Sequence, residues 1–83
     1  MKVIKFQASW CQPCKMLGKV IEDAKDKINL TIEEVDIDED MTMARAFNVR
    51  GVPTMIVVDD QGATVRTKSG YMNEKELLEF ING

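Results

Sequence analysis

Two cysteines three residues apart, Cys11 and Cys14, lie in the segment Ser9-Trp10-Cys11-Gln12-Pro13-Cys14-Lys15, directly after the apolar run Val3-Ile4-Lys5-Phe6. That is a strand-to-helix junction, and the chemistry it permits is the reversible closing of a disulfide. Residues i and i+3 share one helix face about 5–6 Å apart, which overlaps the roughly 5.5–6 Å Cα separation of an unstrained disulfide. Pro13 suits a first helical turn, where its missing N–H has no partner to lose and its φ is already helical. Cys11 falls at the helix N-terminus, where unpaired N–H groups and the macrodipole favour an anion. Its thiolate therefore forms at lower pH than that of a free cysteine. Because the thiolate attacks, Cys11 is the expected nucleophile and Cys14, one turn deeper, the resolving thiol.

Three blander uses of the pair stay open. As a stability staple it closes so short a loop that little chain entropy is removed. As half of a zinc site it lacks partners, since the chain has two Cys and no His while structural zinc takes four such ligands; no metal site is expected within one chain. The two thiols could also be inert core residues.

The elements that position the pair follow from periodicity. Residues 2–8 form a strand rich in β-branched and aromatic residues. From Gln12 to about Lys27, Cys14, Leu17, Ile21, Ala24 and Ile28 recur at three and four, with charge opposite, giving an amphipathic helix. Leu30 to Ile37 is a second strand. Asp40 caps a short helix ending near Phe47, with Asn48 as a left-handed stop. Gly51-Val52-Pro53 punctuates the chain before a strand at Thr54 to Val58, and Asp59-Asp60-Gln61-Gly62 turns into a strand at about 63–68. Asn73 and Glu76 form a capping box, with Met72 and Leu77 as a hydrophobic staple, for a last helix running to Ile81. The order β-α-β-α-β-β-α, parallel crossovers first and a hairpin last, predicts an α/β fold: a four-stranded mixed sheet with helices on both faces.

At 83 residues the chain is expected to be a single domain over residues 1–83. Its net charge of −3 argues against nucleic acid or an anionic membrane as partner. No apolar run reaches the length of a membrane span, and the charged start Met1-Lys2-Val3-Ile4-Lys5 does not read as a signal peptide. A cytoplasmic location is expected, and in that reducing compartment a CxxC pair is more often catalytic than structural. The acidic run Glu33 to Asp40 alternates with Val35 and Ile37, as a strand and its solvated exit do, and not as a cation site. Met41, Met43 and Phe47 are expected to supply helix packing.

Trp10-Cys11-Gln12-Pro13-Cys14-Lys15, followed some forty residues on by Gly51-Val52-Pro53-Thr54, resembles the thioredoxin family across essentially the whole chain. The resemblance implies a cis Val52–Pro53 bond facing the disulfide, with the Val52 backbone free to pair with an extended substrate. It implies a substrate rim at Trp10, Gln12, Pro13, Val52, Pro53, Gly70 and Tyr71. Further, it implies protein disulfides as substrates, no bound cofactor, reducing equivalents from NADPH through thioredoxin reductase, a monomer, and ribonucleotide reductase as a client.

Several positions depart from that family. Typical thioredoxins begin with an additional strand and helix, which this chain lacks, so its element order resembles a glutaredoxin; but the Pro-Tyr, Thr-Val-Pro and Gly-Gly features of glutaredoxins are absent. A glutathione-coupled, glutaredoxin-like reductase is thus one alternative function, and a thioredoxin-fold binding module without turnover is another. Gln12 replaces the family's usual glycine. Thioredoxins usually bury an aspartate six residues before the first cysteine, with a lysine on the neighbouring strand; here those positions read Lys5 and Glu34, the charges exchanged. An inner-strand Lys5 needs an opposite charge, so Lys5–Glu34 is expected to replace the family's pair, with Glu34 or a water it holds relaying the proton of Cys14 and the ammonium favouring its thiolate; the alternative is that Lys5 snorkels to the surface and Glu34 is solvated.

Overall fold

The computed structural model describes residues 1–83. Its elements are β1 (Lys2–Gln7), α1 (Gln12–Ala24), a 3-10 turn at Lys25–Lys27, β2 (Ile32–Asp36), α2 (Met41–Ala46), β3 (Thr54–Val58), β4 (Thr64–Ser69) and α3 (Glu74–Asn82). The strands form one mixed sheet in the order β2-β1-β3-β4. β1 pairs parallel to β2 and antiparallel to β3, and β3 pairs antiparallel to β4.

The two inner strands are buried on both faces, and their period of two splits the core. Val3 of β1 and Met55 and Val57 of β3 pack under α1 and α3 with Leu17, Ala24, Met72, Leu77, Phe80 and Ile81. Ile4, Phe6, Ile56 and Val58 face the other way, toward Met43, Phe47 and Val49 around α2. Fully burying a side chain such as Leu17 or Leu77 contributes about 1.5–3 kcal/mol, so these two layers hold the sheet edges and helix ends that carry the site.

Only the first crossover is parallel, where the sequence pattern suggested more than one. The chain does not return to the start of β2: β3 enters beside the end where β2 leaves off, Thr54 opposite Phe6 and Phe6 opposite Val35, and runs antiparallel. α1 also stops at Ala24, earlier than the periodicity implied, and tightens into the 3-10 turn; Ile28, after it, is only half-buried. Asn48 takes the left-handed conformation, φ 56°, and the Asn73/Glu76 box closes with bonds of 2.9 and 3.0 Å. Of Met41, Met43 and Phe47, expected to supply helix packing, Met43 and the C-cap residue Phe47 pack inward, Phe47 against Phe6, while Met41 is exposed.

Candidate functional site

The chain leaves the β1 end of the sheet through Ala8, Ser9 and Trp10 and enters α1 at the cysteines. Cys11 and Cys14 form a disulfide with Cα atoms 5.2 Å apart. Cys11 is the N-cap of α1: its backbone is extended, and its Sγ accepts from the Cys14 backbone N–H at 3.1 Å, with Pro13 in the first turn. A sulfur here performs the capping usually given to a hydroxyl or carboxylate. A thiolate at this position would meet the same N–H and the helix N-terminus, both of which favour an anion. Both cysteines are buried in this oxidised state, among Ala8, Ile37 and Val52.

A second loop closes over the sulfurs. The Val52–Pro53 peptide bond is cis, and the Val52 carbonyl oxygen stands 3.6 Å from Cys11 Sγ. Neither the N–H nor the C=O of Val52 takes part in a backbone hydrogen bond. The loop is braced from behind: Thr54 Oγ1 donates to the Gly51 carbonyl at 2.7 Å and lies 3.1 Å from Ser69 Oγ, and the Gly70 N–H donates to the Pro53 carbonyl at 2.8 Å. Gly70 has φ +93°, and Tyr71 after it is exposed, as are Trp10, Gln12 and Pro13. The Trp10 indole N–H donates to Asp38 Oδ2 at 2.8 Å. Asp38 carries no motif, and its part could not be read from the sequence.

Behind Cys14 lies a cavity of about 250 Å³ whose walls include Lys5, Gln7, Ser9, Lys15, Gly18 and Asp36. Lys5 is only 2% exposed. Its Nζ donates to the Cys14 carbonyl at 3.4 Å and stands 3.8 Å from Glu34 Oε2. Lys5 and Glu34 are register partners across β1 and β2, yet the Glu34 side chain is 60% exposed, so the pair joins a buried ammonium to a solvated carboxylate. Burial pushes the Lys5 pKa below the usual lysine value, and the Glu34 charge partly counters it. No group of three or more His, Cys, Asp or Glu side chains is placed to hold a metal ion, and no helix is long and apolar enough to cross a membrane.

A capping CxxC disulfide at a strand-to-helix junction, faced by a cis-proline loop on a four-stranded mixed sheet, defines a thiol–disulfide oxidoreductase. The chain belongs to the thioredoxin family, whose family model, Thioredoxin, matches residues 1–83. It is 35% identical over 80 residues to the thioredoxin of Mycoplasmoides gallisepticum, covering 95% of this chain and 79% of that protein. It is likewise 35% identical over 79 residues to the thioredoxin of Bacillus subtilis, covering 93% and 75%. Among solved structures, a mutant thioredoxin from Halobacterium salinarum superposes with a TM-score of 0.87 at 35% identity, covering 96% of this chain and 70% of that one. The family's dithiol–disulfide exchange requires no bound cofactor.

Proposed function

We propose that this single domain, residues 1–83, is a cytoplasmic, monomeric reductant of protein disulfides. Cys11 attacks a substrate disulfide, and Cys14 resolves the mixed disulfide, leaving Cys11–Cys14 oxidised and the substrate reduced. The observation that carries this reading is the Cys14 N–H bond to Cys11 Sγ at the N-terminus of α1, directly opposite the unpaired backbone of Val52. An extended substrate segment adds to Val52 as a strand adds to a sheet edge, with Trp10, Gln12, Pro13, Pro53, Gly70 and Tyr71 around it. Lys5 and Glu34 are the charge pair beside Cys14, Glu34 standing at the solvent end where a proton leaves. The pair is recharged from NADPH through thioredoxin reductase, and ribonucleotide reductase is among its clients.

Reduction of insulin with NADPH consumption followed in parallel tests the reading, once with thioredoxin reductase and once with glutathione plus glutathione reductase. Turnover with thioredoxin reductase is expected, lost in Cys11→Ser and Cys14→Ser, with Cys14→Ser trapping the mixed disulfide. Turnover with glutathione alone would replace the donor by glutathione. Full activity of both cysteine variants in partner capture, without turnover of the parent, would make the protein a binding module.

A further inference from the structure

Lys5 is a lysine in the wrong kind of place unless its charge is used. It shares its sheet face with Val3 and, across the strand pair, meets Met55. A buried ammonium costs stability that its attraction to a solvated carboxylate only partly offsets. What the side chain reaches is the first turn of α1: Nζ donates to the Cys14 carbonyl at 3.4 Å. That carbonyl is approachable because of Gly18, one helical turn beyond Cys14 on the same face. A Cβ on Gly18 would stand 3.3 Å from Lys5 Nζ, tighter than ordinary contact. Gly18 is a poor residue for a helix interior, and its missing side chain is the lane through which the ammonium reaches the helix. Around this point β2 contributes Glu34 and Asp36, α1 contributes Lys15 and Cys14 itself, and β3 contributes only the apolar Met55.

We infer that Lys5, admitted by Gly18, is the positioning residue of the resolving step: its ammonium favours the Cys14 thiolate. The inference rests on Cys14 being the resolving thiol, and it deepens that role. With substrate held as Cys11–S–S–R, Cys14 releases its proton through the cavity to water. The Cys14 thiolate attacks Cys11 Sγ; the Cys11–Cys14 bond forms and the bond to R breaks. The substrate sulfur leaves with the bonding pair as a thiolate and is protonated by water, so two electrons pass from the Cys11/Cys14 pair to the substrate disulfide. An opposite charge beside a thiol favours ionisation, which a general base does only by taking the proton.

The full-length protein with Cys11→Ser leaves Cys14 as the sole thiol, and its Cβ carbon shift followed by NMR against pH gives the titration directly. Lys5→Met is expected to raise the midpoint by about one unit, leaving about tenfold less thiolate below it. Gly18→Ala, which keeps the lysine but crowds it, is expected to move the midpoint the same way and reduce the thiolate about threefold. In the chain with both cysteines, the acid limb of the pH–rate profile for mixed-disulfide resolution moves up with it. Midpoints within about 0.2 unit of the parent in both variants, or a lower midpoint in Lys5→Met, would overturn the inference. If Lys5→Met does not fold, Gly18→Ala decides alone. Loss of turnover in the cysteine variants without these shifts removes only the role of Lys5, whereas turnover that survives Cys14→Ser removes the resolving role beneath it.

Discussion

Trp10 and Asp38, 28 residues apart in sequence, are joined by an indole N–H bond of 2.8 Å to the Asp38 carboxylate. The bond holds an otherwise loose aromatic side chain, 67% exposed, against the β2–α2 connection next to Cys11. An exposed bond of this kind contributes about 0.5–1.5 kcal/mol, enough to bias which way the ring points. Asp38→Ala is therefore expected to lower the fluorescence anisotropy of Trp10, the one tryptophan in the chain. Substrate KM should rise about threefold with kcat nearly unchanged, since ground-state contact is what is lost. Unchanged anisotropy would show that the bond does not hold the ring.

Lys5→Met should make the protein more stable. Methionine fills a similar volume without a buried charge, and the partner left behind, Glu34, is already solvated; exchanges of this type are neutral or stabilising, here by about 1–2 kcal/mol. The sign of the pH dependence follows from the lowered pKa of Lys5. In the unfolded chain lysine titrates near 10.4, so between the folded value and that one the unfolded state holds more protons, and the native protein gains stability as pH rises through the window. Below it the burial penalty is present in full. Urea unfolding should accordingly give the largest advantage for Lys5→Met at neutral pH and a shrinking one as pH approaches 10. An advantage independent of pH would mean that the folded and unfolded chains hold the Lys5 proton equally, so that burial does not lower its pKa.

What was legible beforehand divides along local and long-range lines. The Cys11–Cys14 spacing, the α1 stripe, the Asn73/Glu76 box and the left-handed Asn48 are each set by neighbours within a few residues, and pattern alone placed them. The direction of β3 was not legible, because it is set by its pairing with β1 across a long connection and not by the pattern of its own residues. Trp10–Asp38 and Lys5–Cys14 are side-chain contacts between separate elements, invisible to periodicity. Gly18 did offer a signal: a glycine inside an amphipathic helix costs about 1 kcal/mol relative to alanine, and a close approach was the reason to look for.

Arg66 ties the edge strand β4 to the end of α3. Its Nε donates to the Phe80 carbonyl at 2.6 Å and its Nη2 to the Ile81 carbonyl at 2.9 Å, while the guanidinium lies 5.8 Å from the Phe80 ring centre. Terminal helix carbonyls have no intrahelical partner and carry the negative end of the dipole. Two bonds from a charged donor make Arg66→Ala cost about 2 kcal/mol, a fall in Tm of roughly 10 °C for a chain of this size. Arg66→Lys should recover less than half, lacking the fork that meets both carbonyls. Calorimetry on the two variants checks both statements.

Gly70 separates backbone geometry from bulk at the substrate rim. A Cβ at this position would meet nothing within 4 Å, so a small side chain does not clash; the obstacle is φ +93°. Forcing an L-residue there costs about 1–2 kcal/mol, which the turn can relieve only by rotating away and giving up the Gly70 N–H bond to the Pro53 carbonyl. That bond continues the Thr54–Ser69 pairing of β3 and β4 up to the cis-proline loop, so its loss lets Pro53 and Val52 drift relative to Cys11 Sγ. Gly70→Ala is expected to lower kcat/KM for a protein disulfide at least fivefold while the global stability falls by no more than about 2 kcal/mol. The rate with a small linear disulfide such as hydroxyethyl disulfide, which has no backbone strand to lay against Val52, should change less than twofold. Equal losses with both substrates would assign Gly70 to the cysteines themselves and not to the docking of an extended chain.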